Sequence, residues 1–226
     1  MKVVEMFSSI DGEGLFSGML ATFIRLAGCN LRCKYCDTCY ALKTEDGSEA
    51  SIDEILQYVD IAGNKHITIT GGEPLIHDQV IELISQLCAR GYLVNIETNG
   101  SIPINERLLI RENVFITMDY KLGCSGENEK MHVENLALLR EGHDALKFVA
   151  TRDDADEIHD VITRFHPTCD IYLSPVFGQC DPIELIGIMR ELATCGDTEC
   201  EKVAKKQMRV QLQLHKLVWD PSQRGV

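Results

Sequence analysis

Three cysteines lie close together near the start of the chain, at Cys29, Cys33 and Cys36, and a fourth follows at Cys39. The first three have the spacing C-x3-C-x2-C. Three thiolates in one short loop can each bind one iron of a four-iron four-sulfur cluster, whereas a closed electron-transfer cluster takes four cysteines. The loop therefore predicts a cluster whose fourth iron is free to bind a substrate or a cofactor.

A zinc site that also uses Cys39 is the main alternative. Four-cysteine zinc sites usually pair two short hairpins separated by a longer spacer, and four cysteines within residues 29–39 match that pattern poorly. Buried cysteines acting as small hydrophobic residues are a second alternative, but this loop is rich in Asn, Arg, Lys and Asp. Spacing and composition favour the cluster.

A second motif, Thr70-Gly71-Gly72-Glu73-Pro74, follows a β-rich run. Two glycines at a strand end let the backbone approach a ligand closely, and the proline stiffens the exit. A tight strand-to-helix turn is the simpler interpretation of a Gly-Gly pair by itself. Together with the cysteine loop, the motif indicates a ligand-binding segment.

Short β-rich runs alternate with helical patterns along the whole chain. The predicted strands are residues 21–26, 66–70, 93–97, 114–118, 145–149, 171–173 and 209–214, and the predicted helices are residues 52–61, 79–90, 134–140, 154–165 and 182–193. This alternation predicts an α/β fold with a parallel sheet and crossover helices. If the sheet curves into a barrel, the active site lies at the carboxyl ends of the strands. A doubly wound open sheet is the alternative topology.

The composition limits the partners of the protein. The chain has 226 residues, of which 45% are hydrophobic, with a net charge of −13 and a pI near 4.9. Such a surface repels phosphate backbones and anionic lipid, so we expect neither nucleic acid nor a membrane as partner. The N-terminus does not resemble a signal peptide. We therefore expect a cytoplasmic protein, in which clustered cysteines more often bind metal than form disulfides.

The cysteine spacing after a strand resembles that of radical S-adenosylmethionine enzymes. The resemblance implies a partial (β/α)6 barrel, truncated to a single domain over residues 1–226, with S-adenosylmethionine bound at the open iron and reductively cleaved to a 5′-deoxyadenosyl radical. It also implies cofactor contacts from the cysteine loop, the glycine motif and the segments after the fourth and sixth strands. These cofactor-binding residues are Tyr35, Cys36, Asp37, Gly71, Gly72, Glu73, Asp119, Tyr120, Lys121, Ser174, Pro175 and Val176.

Within that class, residues 7–14, residues 23–29, the Cys36-Asp37-Thr38 triplet and residues 212–219 resemble the 7-carboxy-7-deazaguanine synthases. The resemblance implies removal of the C6 hydrogen of 6-carboxy-5,6,7,8-tetrahydropterin, ring contraction, loss of ammonia and re-formation of S-adenosylmethionine in each turnover, as a step of queuosine and deazapurine biosynthesis. It further implies a homodimer and a flavodoxin or ferredoxin reductant. The bound radical carries the chemistry, so no catalytic side chain is expected.

Substrate recognition is expected from an N-terminal loop, the barrel and a C-terminal tail. The guanidinium of Arg25 is a planar, two-pronged donor suited to the substrate carboxylate, with a surface ion pair as the alternative. Asp11, where family members often carry Gln, and Glu13 can accept hydrogen bonds from the amino-pyrimidinone edge. The substrate-binding residues implied by the resemblance are Ile10, Asp11, Gly12, Glu13, Arg25, Thr70, His215 and the carboxylate of Val226.

A magnesium ion is implied at Thr38, which directly follows the Cys-Asp pair. A hydroxyl alone is a weak magnesium ligand, but Mg2+ commonly keeps waters and takes other ligands from substrate oxygens. The substrate carboxylate is the expected partner in that shell.

Two other functions are weighed against this one. A glycyl-radical-enzyme activase has the same cluster spacing but needs an open groove for a protein backbone, and a non-enzymatic iron–sulfur electron carrier leaves the glycine motif unexplained. Six cysteines remain outside the cluster loop. Cys88 is expected in the core, and Cys180, Cys195 and Cys200 could hold an auxiliary cluster or zinc.

Overall fold

A single mixed sheet of nine strands organises the computed structural model, which describes residues 1–226. The strands are β1 Lys2–Ile10, β2 Leu20–Leu26, β3 Ser48–Glu49, β4 His66–Gly71, β5 Leu93–Thr98, β6 Val114–Tyr120, β7 Ala145–Ala150, β8 Asp170–Pro175 and β9 Met208–Val210. The helices are α1 Ile52–Ala62, α2 Val80–Ala89, α3 Glu106–Leu109, α4 Ala155–Phe165, α5 Pro182–Leu192, α6 Thr198–Lys206 and α7 Leu214–Val218.

The strand order is β3-β1-β2-β4-β5-β6-β7-β8-β9. All pairings from β2 to β9 are parallel, and β1 pairs antiparallel with β2 and β3. A doubly wound sheet reverses its strand order at a switch point, but from β4 onward the order follows the chain without reversal. The sheet is therefore singly wound and stays open between β3 and β9, which confirms the partial barrel.

All seven predicted strands are present, with changed ends. The strand predicted over residues 114–118 continues to Tyr120, so Asp119 lies in the strand and not after it. The strand predicted over residues 209–214 is reduced to β9, and the chain then forms α7. The N-terminal loop expected over residues 7–14 begins within the strand β1, whose Phe7 stacks on Phe23 of β2 at 4.9 Å between ring centroids.

One predicted helix is wrong in type. Residues 134–140 were expected to be an α-helix, but a 3-10 helix spans Val133–Leu138. Within it, the side chain of Asn135 accepts from Ile104 N at 3.0 Å and donates to Gly100 O at 3.1 Å. A buried asparagine that bonds to a neighbouring loop competes with regular helical packing.

The core is divided into two hydrophobic clusters on the helix-covered side of the sheet. One contains 16 buried residues from strands β1 to β6 and helices α1, α2 and α3, and the other contains 24 residues mainly from β6 to β9 and helices α4 to α6. Side chains alternate along a strand, so Leu146, Phe148 and Ala150 of β7 face this helix layer while Lys147 and Val149 line the inside of the barrel. No helix is both long and apolar enough to span a membrane.

Candidate active site

A cavity of about 500 Å3 lies where the carboxyl ends of the parallel strands meet. That volume is within the range of small-molecule sites. Most of the residues predicted for the site line this cavity: Cys29, Cys33, Cys36, Tyr35, Asp37, Thr38, Gly71, Gly72, Asp119, Lys121, Ile10, Asp11, Gly12, Glu13, Arg25, Thr70, His215 and Val226. Five predicted cofactor residues do not line it: Glu73, Tyr120, Ser174, Pro175 and Val176.

The cysteine loop forms one wall of the cavity, with all three thiols free and half-buried. Cys29 Sγ accepts hydrogen bonds from Leu31 N at 3.4 Å and Asn99 Nδ2 at 3.8 Å, which orient the sulfur. The three thiols do not converge within 4.8 Å of one another, as the ligands of a single ion would. The residues present therefore fit a cluster of several irons better than one zinc ion.

Cys39 also lines the cavity but differs from the three cluster thiols in its surroundings. Its side chain is exposed, and its Sγ donates to the backbone oxygen of Cys36 at 2.9 Å. Thr38, between Asp37 and Cys39, lines the cavity and donates its hydroxyl to Asp37 Oδ1 at 3.0 Å.

The glycine motif packs directly beneath the cysteine loop. A Cβ atom at Gly71 would lie 2.2 Å from Leu26 O, and one at Gly72 would lie 2.1 Å from Gly28 O. Gly72 N donates to Leu26 O at 3.0 Å, and Glu73 N donates to Gly28 O at 2.8 Å. The two glycines are thus required because the backbones after β2 and β4 are in contact, which fixes the cluster loop against the sheet.

Glu73 connects the loops after β4 and β5 through hydrogen bonds to its buried side chain. Its fully buried carboxylate accepts from Leu75 N and Thr98 Oγ1, both at 2.9 Å, and from Asn99 N at 2.6 Å. Burial raises the pKa of Glu73 to about 7, although these hydrogen bonds act in the opposite direction. Glu73 therefore holds the loops after β4 and β5 in register behind the cavity wall.

Two other predicted residues outside the cavity, Tyr120 and Ser174, also lie behind its wall. Because side chains alternate along β6, Asp119 points into the cavity while Tyr120 packs on Phe148 in the core, with 5.8 Å between ring centroids. Ser174 Oγ accepts from Gln211 Nε2 at 2.9 Å and lies 3.5 Å from the Glu13 carboxylate. Ser174 therefore lies behind Glu13 and helps to position its carboxylate, but does not itself line the cavity.

Sequence reasoning missed Lys147, whose ammonium lies between carboxylates inside the barrel. Lys147 Nζ is 2.6 Å from Glu13 Oε1 and 3.2 Å from Asp119 Oδ2, and Lys121 Nζ is 3.0 Å from the same Asp119 oxygen. Burial alone would lower the pKa of Lys147, but the carboxylates of Asp119, Glu13 and Glu97 raise it well above its usual range. The available signal was a single lysine within an otherwise apolar strand, Ala145–Ala150.

Arg25 is held in place by residues that were also missed. Its Nε donates to Glu5 Oε1 at 2.8 Å, and Tyr40 donates its hydroxyl to the same oxygen at 3.0 Å. The guanidinium lies 5.9 Å from the ring centroids of both Phe7 and Tyr40. The two terminal nitrogens of Arg25 make no hydrogen bond within the protein, which leaves both donors available to an anion in the cavity.

Asp11 is buried at the inner end of the cavity, with 1% of its surface exposed. Its Oδ2 accepts from Thr68 Oγ1 at 2.9 Å, while its Oδ1 is buried without a partner. Burial and the nearby Glu97 raise the pKa of Asp11 to about 8. The raised pKa favours the protonated carboxyl, which donates a hydrogen bond as well as accepting one.

Replacing Asp11 by asparagine should flatten the pH dependence of stability. The folded-state pKa is about 8 and the ordinary value 3.8, so the stabilisation from Asp11 is complete below the ordinary value and is lost as pH rises through the folded value. Between the two, the wild-type free energy of unfolding should fall by about 1.4 kcal/mol more per pH unit than that of Asp11→Asn. Urea unfolding of the cluster-free proteins at several pH values measures this difference; parallel curves would show that Asp11 is ionised when folded.

The C-terminal tail closes the cavity over the N-terminal loop. Leu214 N donates to Gly12 O at 2.9 Å, and a Cβ atom at Gly12 would lie 2.2 Å from His215 Nδ1, so only glycine permits this packing. Lys216 Nζ pairs with Asp37 Oδ2 at 2.7 Å, which ties α7 to the cysteine loop. Residues 220–226 continue along the cavity edge.

Comparison with known proteins agrees with this arrangement. Residues 23–117 match the family model described as the Radical SAM superfamily. The crystal structure of QueE from Escherichia coli superposes with a TM-score of 0.70 and 24% identity, over 95% of this chain and 94% of that chain, so the two share a fold. The fold and the cysteine loop define a radical S-adenosylmethionine enzyme, a class that uses a four-iron four-sulfur cluster and S-adenosylmethionine.

Close relatives narrow the class. The 7-carboxy-7-deazaguanine synthase of Clostridium acetobutylicum is 40% identical over 230 residues, covering 100% of this chain and 99% of that protein. The synthase of Methanospirillum hungatei is 35% identical over 229 residues, covering 98% of this chain and 86% of that protein. The chain belongs to the 7-carboxy-7-deazaguanine synthase family.

Proposed function

We propose that this enzyme contracts the ring of 6-carboxy-5,6,7,8-tetrahydropterin to give 7-carboxy-7-deazaguanine with loss of ammonia, as a step of deazapurine biosynthesis. The observation that carries the proposal is one cavity with two chemically different walls. Three cluster-binding thiols line one wall, and Arg25, Asp11 and Glu13 line another. Cluster ligands and side chains suited to a carboxylated pterin in one cavity support the proposal.

When bound, the cluster and S-adenosylmethionine supply a 5′-deoxyadenosyl radical that removes the hydrogen at C6 of the substrate. The chain's own residues bind and orient the reactants. Cys29, Cys33 and Cys36 would hold the cluster, and Asp119 near the end of β6 and Lys121 directly after that strand would contact the cofactor. The backbone at Gly71 and Gly72 would also contact the cofactor.

The substrate carboxylate is assigned to Arg25, because its terminal nitrogens are free and its Nε is held by Glu5. The protonated carboxyl of Asp11 would donate to a ring nitrogen or carbonyl oxygen of the pterin, and Glu13, held by Lys147, would accept from its amino group. Ile10, Gly12 and Thr70 shape the same wall. The tail, with His215 and Val226, would cover the bound substrate and exclude water from it.

Magnesium is proposed at Thr38, which lines the cavity beside the cluster loop and whose hydroxyl bonds to Asp37 Oδ1. Mg2+ there would neutralise the substrate carboxylate while keeping several waters. Thr38→Ala should leave cleavage of S-adenosylmethionine nearly unchanged but reduce the stimulation of turnover by Mg2+ roughly tenfold, in line with the loss of one ligand interaction. Steady-state rates over a magnesium titration measure this effect.

Thr38→Ser is the matched control, since it keeps the hydroxyl and should retain the magnesium response. An unchanged magnesium dependence in Thr38→Ala would remove this residue from the proposed site.

We also propose that the protein forms a homodimer, that flavodoxin or ferredoxin reduces its cluster, and that it is cytoplasmic. Sequence similarity to the synthase family supports these proposals. Light scattering of the cluster-loaded protein tests the first. Turnover with each purified reductant tests the second.

An anaerobic assay tests the function itself. The protein is reconstituted with iron and sulfide, supplied with S-adenosylmethionine, reductant, Mg2+ and 6-carboxytetrahydropterin, and its products are followed by mass spectrometry. We expect 7-carboxy-7-deazaguanine and ammonia in equal amounts. Formation of 5′-deoxyadenosine without 7-carboxy-7-deazaguanine would be consistent with a radical S-adenosylmethionine enzyme but would contradict the proposed substrate.

A further inference from the structure

A second group of metal-ligating side chains lies outside the cavity, on the helix-covered side of the sheet. It consists of His159 on α4 together with Cys195 and Cys200, whose ligand atoms all lie within 4.8 Å of one another. None of the three lines the cavity. It is also the one group of three or more His, Cys, Asp or Glu residues in the chain that converges this closely.

None of these ligand atoms has a short hydrogen bond that would occupy it. Cys200 Sγ is buried and lies 3.8 Å from Leu192 O, while Cys195 Sγ is exposed and lies 3.9 Å from Asp197 O. His159 Nδ1 is 3.7 Å from Asp160 Oδ1, and the ring side chain is 36% exposed. All three atoms are therefore available to a common ligand.

The group of His159, Cys195 and Cys200 joins segments that are distant in sequence. His159 lies in the middle of α4, Cys195 lies in the turn after α5, and Cys200 lies in the first turn of α6, whose N-cap Asp197 accepts from Cys200 N at 2.8 Å. The fold thus presents an imidazole and two sulfurs to one point from three segments: α4, the turn after α5, and α6.

We propose that His159, Cys195 and Cys200 bind one thiophilic divalent cation, with zinc as the ion that best matches the donors. In a tetrahedral zinc site the ligand atoms are roughly 3.5–3.8 Å apart, so the group needs only a small contraction to close around the ion. No fourth protein ligand converges with these three. Because Cys195 is exposed, the fourth position is open to water. Thiolate and imidazole donors select zinc over magnesium, which separates this site from the one at Thr38.

The proposal changes the grouping that sequence alone indicated. Cys180 was considered together with Cys195 and Cys200, but it is buried in the core with its Sγ 3.6 Å from Asp181 O, and it is not part of the group. The imidazole of His159 takes its place. Bound zinc would hold α4 against the turn between α5 and α6, at the edge where β9 ends the sheet.

Zinc retention by the cluster-loaded full-length protein tests the proposal. The iron–sulfur cluster is reconstituted first, so that its cysteines are occupied, and the protein is then dialysed anaerobically against zinc chloride buffered by a chelator. Elemental analysis should find about one zinc per chain, and zinc K-edge absorption should show two sulfur ligands at about 2.3 Å and a nitrogen at about 2.0 Å.

Cys195→Ser and His159→Gln are the test variants, because both side chains reach the surface and neither substitution disturbs the core. Each should weaken zinc binding by roughly 100-fold or more while leaving the iron content unchanged. Cys88→Ala is the matched control, since it removes a half-buried cysteine of α2 outside the group and should retain zinc.

Failure of wild type to retain zinc, or equal retention by wild type and Cys195→Ser, would overturn the proposal. So would a disulfide between Cys195 and Cys200 that persists in the anaerobically purified protein. Because the readout is bound zinc and not turnover, these outcomes are independent of the proposed ring contraction.

Discussion

Cys33→Ala should abolish turnover, with a loss of more than about a thousandfold, because the cluster supplies chemistry that no side chain can replace. Removing one of three cysteines leaves two irons of the cubane without protein ligands. Cys33 is half-buried and makes no hydrogen bond through its sulfur, so the variant should still fold. Iron and sulfide content after reconstitution, together with the yield of 5′-deoxyadenosine, measure the effect.

Cys39→Ala is the control for this experiment. The thiol of Cys39 is exposed and bonds to the backbone oxygen of Cys36, so its removal should leave the cluster and the cofactor cleavage intact. Loss of iron in Cys39→Ala to the extent seen in Cys33→Ala would contradict a cluster held by three cysteines and indicate a fourth ligand.

Lys147→Met should destabilise the protein by about 3–5 kcal/mol, the usual result of removing one partner from a buried ion pair. Lys147 is the ammonium between Glu13 and Asp119, and its side chain is 7% exposed. Methionine fills a similar volume but leaves the Glu13 carboxylate without its cation. Chemical denaturation of the cluster-free protein at neutral pH measures the change in the free energy of unfolding.

Lys65→Met is the matched control, since Lys65 is exposed and its replacement should change stability by less than about 0.5 kcal/mol. The double variant Lys147→Met/Glu13→Gln should recover part of the loss, because the carboxylate left without a partner is neutralised. Equal stability of wild type and Lys147→Met would show that solvent in the cavity already satisfies Glu13.

The strands and most helices could be predicted from the sequence because their signals are local. Helix α1 is capped at its N-terminus by Ser51, whose hydroxyl accepts from Glu54 N at 3.2 Å, and at its C-terminus by Gly63 in a left-handed conformation. Both signals lie within a few residues of the ends they mark. Strand β1 gave no comparable signal, since only Val3 and Ser9 of its nine residues are buried and the alternation that marks a strand is weak.

The roles of Glu73 and Arg25 depended on neighbours that the sequence does not identify. Glu73 was predicted to bind the cofactor, but its carboxylate is occupied by donors from the loop after β5. Arg25 was predicted for the substrate, and the free ends of its guanidinium remain compatible with that prediction, yet its partner Glu5 lies 20 residues earlier in the chain. Contacts of this kind exist only once the strand order is fixed.

By itself, the sequence determined the cysteine loop, the glycine motif and the alternation of strands and helices, since spacing, backbone freedom and periodicity are properties of neighbouring residues. Only the tertiary structure decided that Lys147 pairs with Glu13, 134 positions away, that the tail closes on Gly12, and that His159 meets Cys195 and Cys200. The physical reason is the same in each case. A charge or a ligand atom acts over a few ångströms of space, and the folded sheet alone sets which residues are that close.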